Sequence, residues 1–358
     1  MKNPRNKIII FVLAVTLIFL CFTTVAFSHS EKPSLSAKAA FLYEPETKTE
    51  LFSKNPDVKL PMASTTKIMT ALIALETLEP SKPVSIDSRA IGIEGSSLYL
   101  KAGERLTARD LIIGLMLRSA NDAAAALAYE ISGEIDTFAD LMNERAESLG
   151  LKNTHFTNPH GLDNDRHYTT ARELALITAE ALNNPEFKSI VSMKKHIIKN
   201  SDGEARLVVN HNKLLTLYDG AIGVKTGFTK KSGRCLVGAA EKNGLTMISV
   251  TINAPNDWND HSMLFEYGFS RLEKRNAVVT GAYKYEIPLL GSESTVTVTN
   301  TESFSFITET NSQSVDITVE LPKYVISPVS SGDTVGRIIV ALNGKEIGSV
   351  PLVCVNQS

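Results

Sequence analysis

Three short polar clusters combine residue types and spacings suited to serine acyl transfer: Ser64-Thr65-Thr66-Lys67, Ser119-Ala120-Asn121 and Lys225-Thr226-Gly227. They match the S-x-x-K, S-x-N and K-T-G elements of such sites. A serine hydroxyl is a poor nucleophile until a base takes its proton. Lys67 follows Ser64 by three residues, one helical turn later on the same face, so it can be that base. It must be neutral to act, which requires its pKa to fall from about 10.4 toward about 7–8. Burial and a second nearby ammonium lower a lysine in this way, and Lys225 is the second cation. Ser119 adds another proton carrier, and Asn121 places a carboxamide beside it.

Each cluster alone is weak. S-x-x-K recurs over Ser192 to Lys195, S-x-N recurs at Ser53-Lys54-Asn55, and Lys231-Ser232-Gly233 is a degenerate third element. Context separates the set from these accidents. Pro61 delays helix formation until about Thr65, which puts Ser64 near a helix N-terminus where free N–H groups favour developing negative charge. Ser119 and Asn121 fall in a break between a helix ending near Arg118 and one beginning at Asp122. In isolation either also reads, less well, as an N-cap of the second helix. Lys225-Thr226-Gly227 is expected at the end of an apolar strand, where glycine lets a ligand backbone approach the edge.

The surrounding chain has to build that convergence. Its 358 residues suffice for about two domains. A net charge of −2 provides no field for nucleic acid, and the mature region has no basic run. Residues 1–29 place Lys2, Arg5 and Lys7 before an uncharged stretch from Ile8 to Phe27, with the small residues Ala26 and Ser28 at its end. This pattern predicts an export signal, so membrane contact is expected only if the segment is left uncleaved. Cys21 lies within it, leaving Cys235 and Cys354 as expected buried thiols rather than a disulfide framework. The seven histidines show no metal-binding spacing, and no metal or other cofactor is expected.

A hairpin is predicted between Ala37 and Phe52, turning at Pro45-Glu46-Thr47. Helices follow, with Thr107/Asp110 and Thr170/Glu173 as capping pairs. Strands return from Ala221, and Asn243-Gly244 marks a tight hairpin. Strands at both ends of a helical stretch predict an α+β fold, one antiparallel sheet flanked by helices, over 30–273. Residues 274–358 alternate or run apolar with no helical period, predicting a small all-β, sandwich-like carboxyl-terminal domain without chemistry of its own.

Over about residues 34–355 the chain resembles the low-molecular-mass penicillin-binding proteins, the serine-type D-alanyl-D-alanine carboxypeptidases of bacterial cell-wall metabolism. The resemblance rests on the three clusters, on Leu60-Pro61-Met62-Ala63 ahead of Ser64, on Asn158-Pro159-His160-Gly161-Leu162-Asp163, and on Asp219-Gly220 ahead of Lys225. Ser327-Pro328-Val329 and Pro351-Leu352-Val353 fit the family's second domain. It implies a β-lactamase/DD-peptidase-like fold and attack by Ser64 on the bond between the last two D-alanines of a peptidoglycan stem peptide. Lys67 then serves as base, Ser119 and Lys225 relay a proton to the leaving group, and Asn121 holds the substrate backbone. Backbone N–H groups of Ser64 and Phe228 form the oxyanion hole. Thr226, Lys225 and the close approach at Gly227 bind the terminal carboxylate, with Arg234 as a further carboxylate contact. β-Lactams act as covalent inhibitors. Phe228 stands where some relatives carry histidine, so its main chain alone is expected to matter. Many relatives end in an amphipathic membrane helix, whereas Ser358 follows a strand directly, so anchoring there is not expected.

Other functions use parts of the same set. A class A β-lactamase needs a deacylating glutamate, and no Glu-x-x-Leu-Asn segment lies between Asn121 and Lys225. A D,D-endopeptidase acting on cross-linked peptidoglycan would use the same residues. A non-catalytic exported wall-binding protein would have no need of an intact Ser64, Lys67, Ser119, Asn121 and Lys225. The expected location is the extracytoplasmic face of the cell envelope.

Overall fold

The computed structural model describes residues 31–311 and 314–355. The export segment expected over 1–29, with Cys21, lies outside the described residues. Among the described residues no helix is long and apolar enough to cross a membrane.

The chain opens with the strands β1 (Ala39–Glu44) and β2 (Thr49–Lys54). The turn between them is closed by the Glu44 carboxylate, which accepts from the N–H groups of Glu46 at 2.9 Å and Thr47 at 2.7 Å. The helix α1 (Lys67–Thr77) follows, then β3 (Pro83–Ser85), β4 (Arg105–Thr107), α2 (Ala108–Ile113), α3 (Asn121–Ser132), α4 (Ile135–Ser148), α5 (Ala171–Leu182) and α6 (Pro185–Ser192). After these come β5 (Lys195–Lys199), β6 (Ala205–Val209), the short helix α7 (Leu214–Leu217), β7 (Ala221–Thr229), β8 (Gly233–Lys242), β9 (Leu245–Ile252) and α8 (Asp257–Arg271).

The central sheet has the order β2-β1-β9-β8-β7, with antiparallel neighbours throughout. All six residues of β1 are buried, because both faces of the sheet are covered. The two-residue period then sends Ala39, Phe41 and Tyr43 into the core shared with α1 to α6, and Ala40 and Leu42 into the core shared with α8. Helix α1 is buried continuously from Lys67 to Ala74, as a helix through the middle of a domain must be. Asn243 and Gly244, at φ of 51° and 76°, make the tight β8–β9 hairpin that their sequence predicts.

Two local expectations change. Thr170 caps α5 by accepting from Glu173 N, but Glu173 does not return the favour to complete a capping box. Its carboxylate binds Lys152 N, Asn153 N and the Thr154 hydroxyl instead, pinning the preceding loop. Lys225-Thr226-Gly227 lies within β7 rather than at its end, because pairing with β8 continues to Thr229. Since β7 is the sheet's edge strand, the cluster still faces an open side.

From Leu272 onward the described structure is all β: β10 (Leu272–Val278), β11 (Lys284–Pro288), β12 (Thr295–Asn300), β13 (Phe304–Glu309), β14 (Val315–Glu320), β15 (Thr334–Leu342) and β16 (Lys345–Cys354). They form a five-stranded sheet, β11-β12-β16-β15-β14, and a two-stranded sheet, β10-β13. Val278, Ile338, Val340, Val350 and Leu352 make one of its small cores. Cys235 in β8 and Cys354 in β16 are both buried, and no disulfide joins them.

Candidate active site

Ser64 lies in a tight turn of 3-10 helix, Ala63–Thr66, immediately before α1. The turn is held by side chains. Thr65 Oγ1 donates to Met62 O at 2.6 Å, and Thr66 Oγ1 donates to Ala63 O at 2.8 Å. His167 Nδ1 accepts from Thr157 N at 3.0 Å, so its Nε2 carries the hydrogen and donates to Thr66 Oγ1 at 2.7 Å. Ala63 takes a left-handed φ of 48°, a costly conformation for a residue with a Cβ.

Gly161 closes over this turn. A Cβ there would lie 2.0 Å from Ala63 O, and its own φ is 87°. Backbone rather than a flexible side chain is in the way, so Gly161→Ala is expected to cost about 2 kcal/mol or more. Thermal melting should show a drop of several degrees. A wild-type melting temperature would contradict this packing.

Lys67 is 0% exposed. Its Nζ lies 2.7 Å from Asn121 Oδ1, 2.5 Å from the His160 carbonyl oxygen and 3.0 Å from Ser64 Oγ. The Asn121 amide is oriented by its Nδ2, which donates to the Glu94 carbonyl, so Oδ1 must face the lysine. Carbonyl and carboxamide oxygens only accept. A neutral amine therefore commits both N–H bonds to Asn121 and His160 and leaves its lone pair toward the Ser64 hydroxyl. Burial first, and then the Lys225 charge, hold Lys67 well below the ordinary lysine range, with Asp122 opposing them.

Asp122 is buried beside Asn121 and accepts from Leu98 N at 3.0 Å and from the Ser97 hydroxyl at 2.6 Å. It ties the 96–100 loop to the first turn of α3. Ser119 occupies the break between a π-helical turn, Gly114–Arg118, and α3, with a left-handed φ of 61°. That kink turns its side chain into the cleft instead of onto a helix face. Asn121 is the first residue of α3, and it binds Lys67 rather than capping the helix.

The strand β7 brings the third cluster in. A Cβ on Gly227 would be 3.0 Å from Ser64 N and 3.2 Å from Thr65 N, so the strand touches the backbone of the Ser64 turn. Lys225 is 1% exposed, and its Nζ donates to Thr226 O at 2.9 Å. Burial pulls it down to about 7. Phe228 points away from the core and is 65% exposed.

Stability should report the Lys225 shift. The unfolded lysine keeps its proton up to about 10.5, whereas the folded one loses it near 7. The unfolded state thus binds more protons between those values, and stability rises with pH there by up to about 1.4 kcal/mol per unit. Urea unfolding of wild type and Lys225→Met at pH 7 and pH 9 should show a steeper gain in wild type. Equal gains would contradict a buried, depressed Lys225.

The three clusters line one cleft of about 610 Å³, with Ser64, Ser119, Thr226, Gly227 and Phe228 on its walls. Arg234 also lines it, but Arg234 Nη2 is paired with Asp257 Oδ1 at 2.8 Å and its guanidinium lies over the Trp258 ring. Its charge is therefore matched within the wall. His211 lines the cleft with Arg118 Nη1 3.3 Å from its Nε2; burial, Lys225 and Arg118 all lower its pKa. Asp257, Trp258, His211 and the His160 carbonyl carry no signal in the sequence, because each acts through tertiary placement or its main chain. His160 itself is pushed down to about 3 by burial, then by Lys67 and His167. Asp163 accepts from the Thr229 hydroxyl at 3.0 Å, joining the 158–168 loop to the end of β7 as a shaping contact.

Residues 26–256 match the sequence profile of the D-alanyl-D-alanine carboxypeptidases, and residues 272–357 match that of the penicillin-binding protein 5 C-terminal domain. D-alanyl-D-alanine carboxypeptidase DacF of Bacillus subtilis is 29% identical, covering 95% of this chain and 92% of that protein. DacA of Haemophilus influenzae is 31% identical, over 90% of this chain and 86% of that protein. Among solved structures, the carboxypeptidase DacD from Francisella tularensis matches with a TM-score of 0.66 at 27% identity, covering 94% of this chain and 97% of that one. The DD-transpeptidase of Streptomyces K15 matches with a TM-score of 0.64 at 34% identity, over 67% of this chain and 99% of that one.

Proposed function

The chain belongs to the D-alanyl-D-alanine carboxypeptidase family, and on that premise we propose that it removes the terminal D-alanine of peptidoglycan stem pentapeptides through an acyl-enzyme on Ser64. The observation that carries this reading is the Lys67 amine, 3.0 Å from Ser64 Oγ and flanked by two groups that only accept.

The neutral Lys67 takes the Ser64 proton as Oγ bonds to the carbonyl carbon between the two D-alanines. The oxygen that becomes negative is held by the N–H groups of Ser64 and Phe228, which are fixed before the charge develops. The C–N bond then breaks, and the proton taken up by Lys67 passes through Ser119 and Lys225 to the departing D-alanine nitrogen, which leaves Lys67 neutral. Asn121 steadies the substrate backbone. Thr226, the open edge at Gly227 and the Lys225 charge hold the terminal carboxylate. Arg234, already matched by Asp257, contributes a weaker contact. In the second half Lys67 accepts a proton from water, whose oxygen adds to the acyl carbon, and Ser64 leaves with its hydrogen restored. A β-lactam acylates the same oxygen by ring opening. Its leaving group stays attached, which slows the water step.

The family acts on bacterial cell-wall peptidoglycan, outside the cytoplasmic membrane, and binds β-lactams. Accordingly we assign residues 1–29 to export, 30–273 to catalysis and 274–358 to a non-catalytic β domain. Assay of a synthetic stem pentapeptide tests the activity: free D-alanine and a tetrapeptide are expected. Turnover of cross-linked peptide dimers with an inert pentapeptide would replace this reading with an endopeptidase.

A further inference from the structure

Beside the catalytic cleft lies a second groove of about 440 Å³, and the two share Asn210 and Lys213 as lining residues. Its walls are apolar at Val209 and Leu217, which are 51% and 60% exposed, and cationic at Lys194, Lys195 and Lys213. Lys195 pairs with Val209 across the β5–β6 hairpin, so charge and apolar surface adjoin. Among the described residues none of the three lysines has a carboxylate partner. At the groove's base is Asn212, 3% exposed. Its Oδ1 accepts from Leu214 N at 3.1 Å, which fixes the backbone that carries Lys213. The neighbouring segment is held by its own side chains. Asn210 Oδ1 accepts from Asn212 N at 2.9 Å, while Asn210 Nδ2 donates to Met193 O at 2.9 Å.

We propose that this groove is an exosite for a free carboxylate of the peptidoglycan peptide, remote from the bond that is cut. The occupant is an anionic peptide segment: its carboxylate meets Lys194, Lys195 and Lys213, and its aliphatic portion covers Val209 and Leu217. Continuity with the cleft through Asn210 and Lys213 lets one substrate occupy both. The inference rests on the carboxypeptidase reading, and it adds a preference that the catalytic residues alone do not supply.

Two substrates isolate it: a stem pentapeptide with its glutamyl carboxylate free, and the same peptide with that group converted to the carboxamide. Wild type is expected to favour the free acid about tenfold in kcat/KM, the scale of one charge-assisted contact. Lys194→Gln/Lys195→Gln is expected to abolish the preference by slowing the free acid alone. Activity on the amide and penicillin labelling should stay at wild-type levels. Raising salt from 50 mM to 500 mM should shrink the wild-type preference in parallel. Equal rates on the two peptides in wild type, or an unchanged preference in the double variant, would overturn the exosite while leaving catalysis untouched. Absence of D-alanine release from either peptide would instead count against the carboxypeptidase reading.

Discussion

Ser64→Ala is expected to lower the rate of D-alanine release by about 10⁴-fold or more, the usual cost of losing a nucleophile that works as part of a unit. Folding should be preserved. The hydroxyl makes a single 3.0 Å contact with Lys67, whose other two partners remain in place. The variant should therefore melt at the wild-type temperature and still bind stem pentapeptide. It should take up no covalent penicillin. Retention of even a hundredth of the wild-type rate would mean that another group forms the bond.

The second large effect is expected at Lys67. Lys67→Met keeps the side chain's length and removes the base, so acylation should slow by about 10³-fold, the centre of the range for general-base catalysis. The pH profile separates this role from a structural one. In wild type the base is competent only when neutral, so acylation by penicillin rises with pH through the lowered Lys67 pKa and then levels. That limb should vanish in Lys67→Met. In Lys225→Met it should move to higher pH, because the Lys225 charge helps to depress Lys67. A rising limb that survives at the same pH in Lys67→Met would assign the titration to another group.

Much of this could be read along the chain because local rules and tertiary needs agree. Ile68, Met69, Leu72, Ile73 and Leu75 put apolar residues on more than one face of the helix, and α1 is buried from Lys67 to Ala74. Asn243-Gly244 and Asn343-Gly344 specify hairpins through φ values that asparagine and glycine tolerate, and both pairs adopt them. The Ser119 break is visible because two helical patterns stop and restart there. The unreadable parts depend on contacts between distant segments. Glu173 spends its carboxylate on residues 152–154 because those N–H groups arrive from another loop. The β5–β6 hairpin was hidden because its outward positions hold Ile197, Leu207 and Val209 alongside lysines, which blurs the apolar–polar alternation. The Lys67 environment is legible only in part: Lys225 and Asn121 are motif residues, whereas the His160 carbonyl is main chain and any residue type could have supplied it.

The most direct test of a Ser64 acyl-enzyme is to react the purified protein with a penicillin, quench, digest and locate the added mass by tandem mass spectrometry. The mechanism predicts one adduct per chain, on the peptide containing Ser64 and at that residue, persisting for minutes. An adduct on another side chain, or an unmodified Ser64 after prolonged exposure, would contradict it.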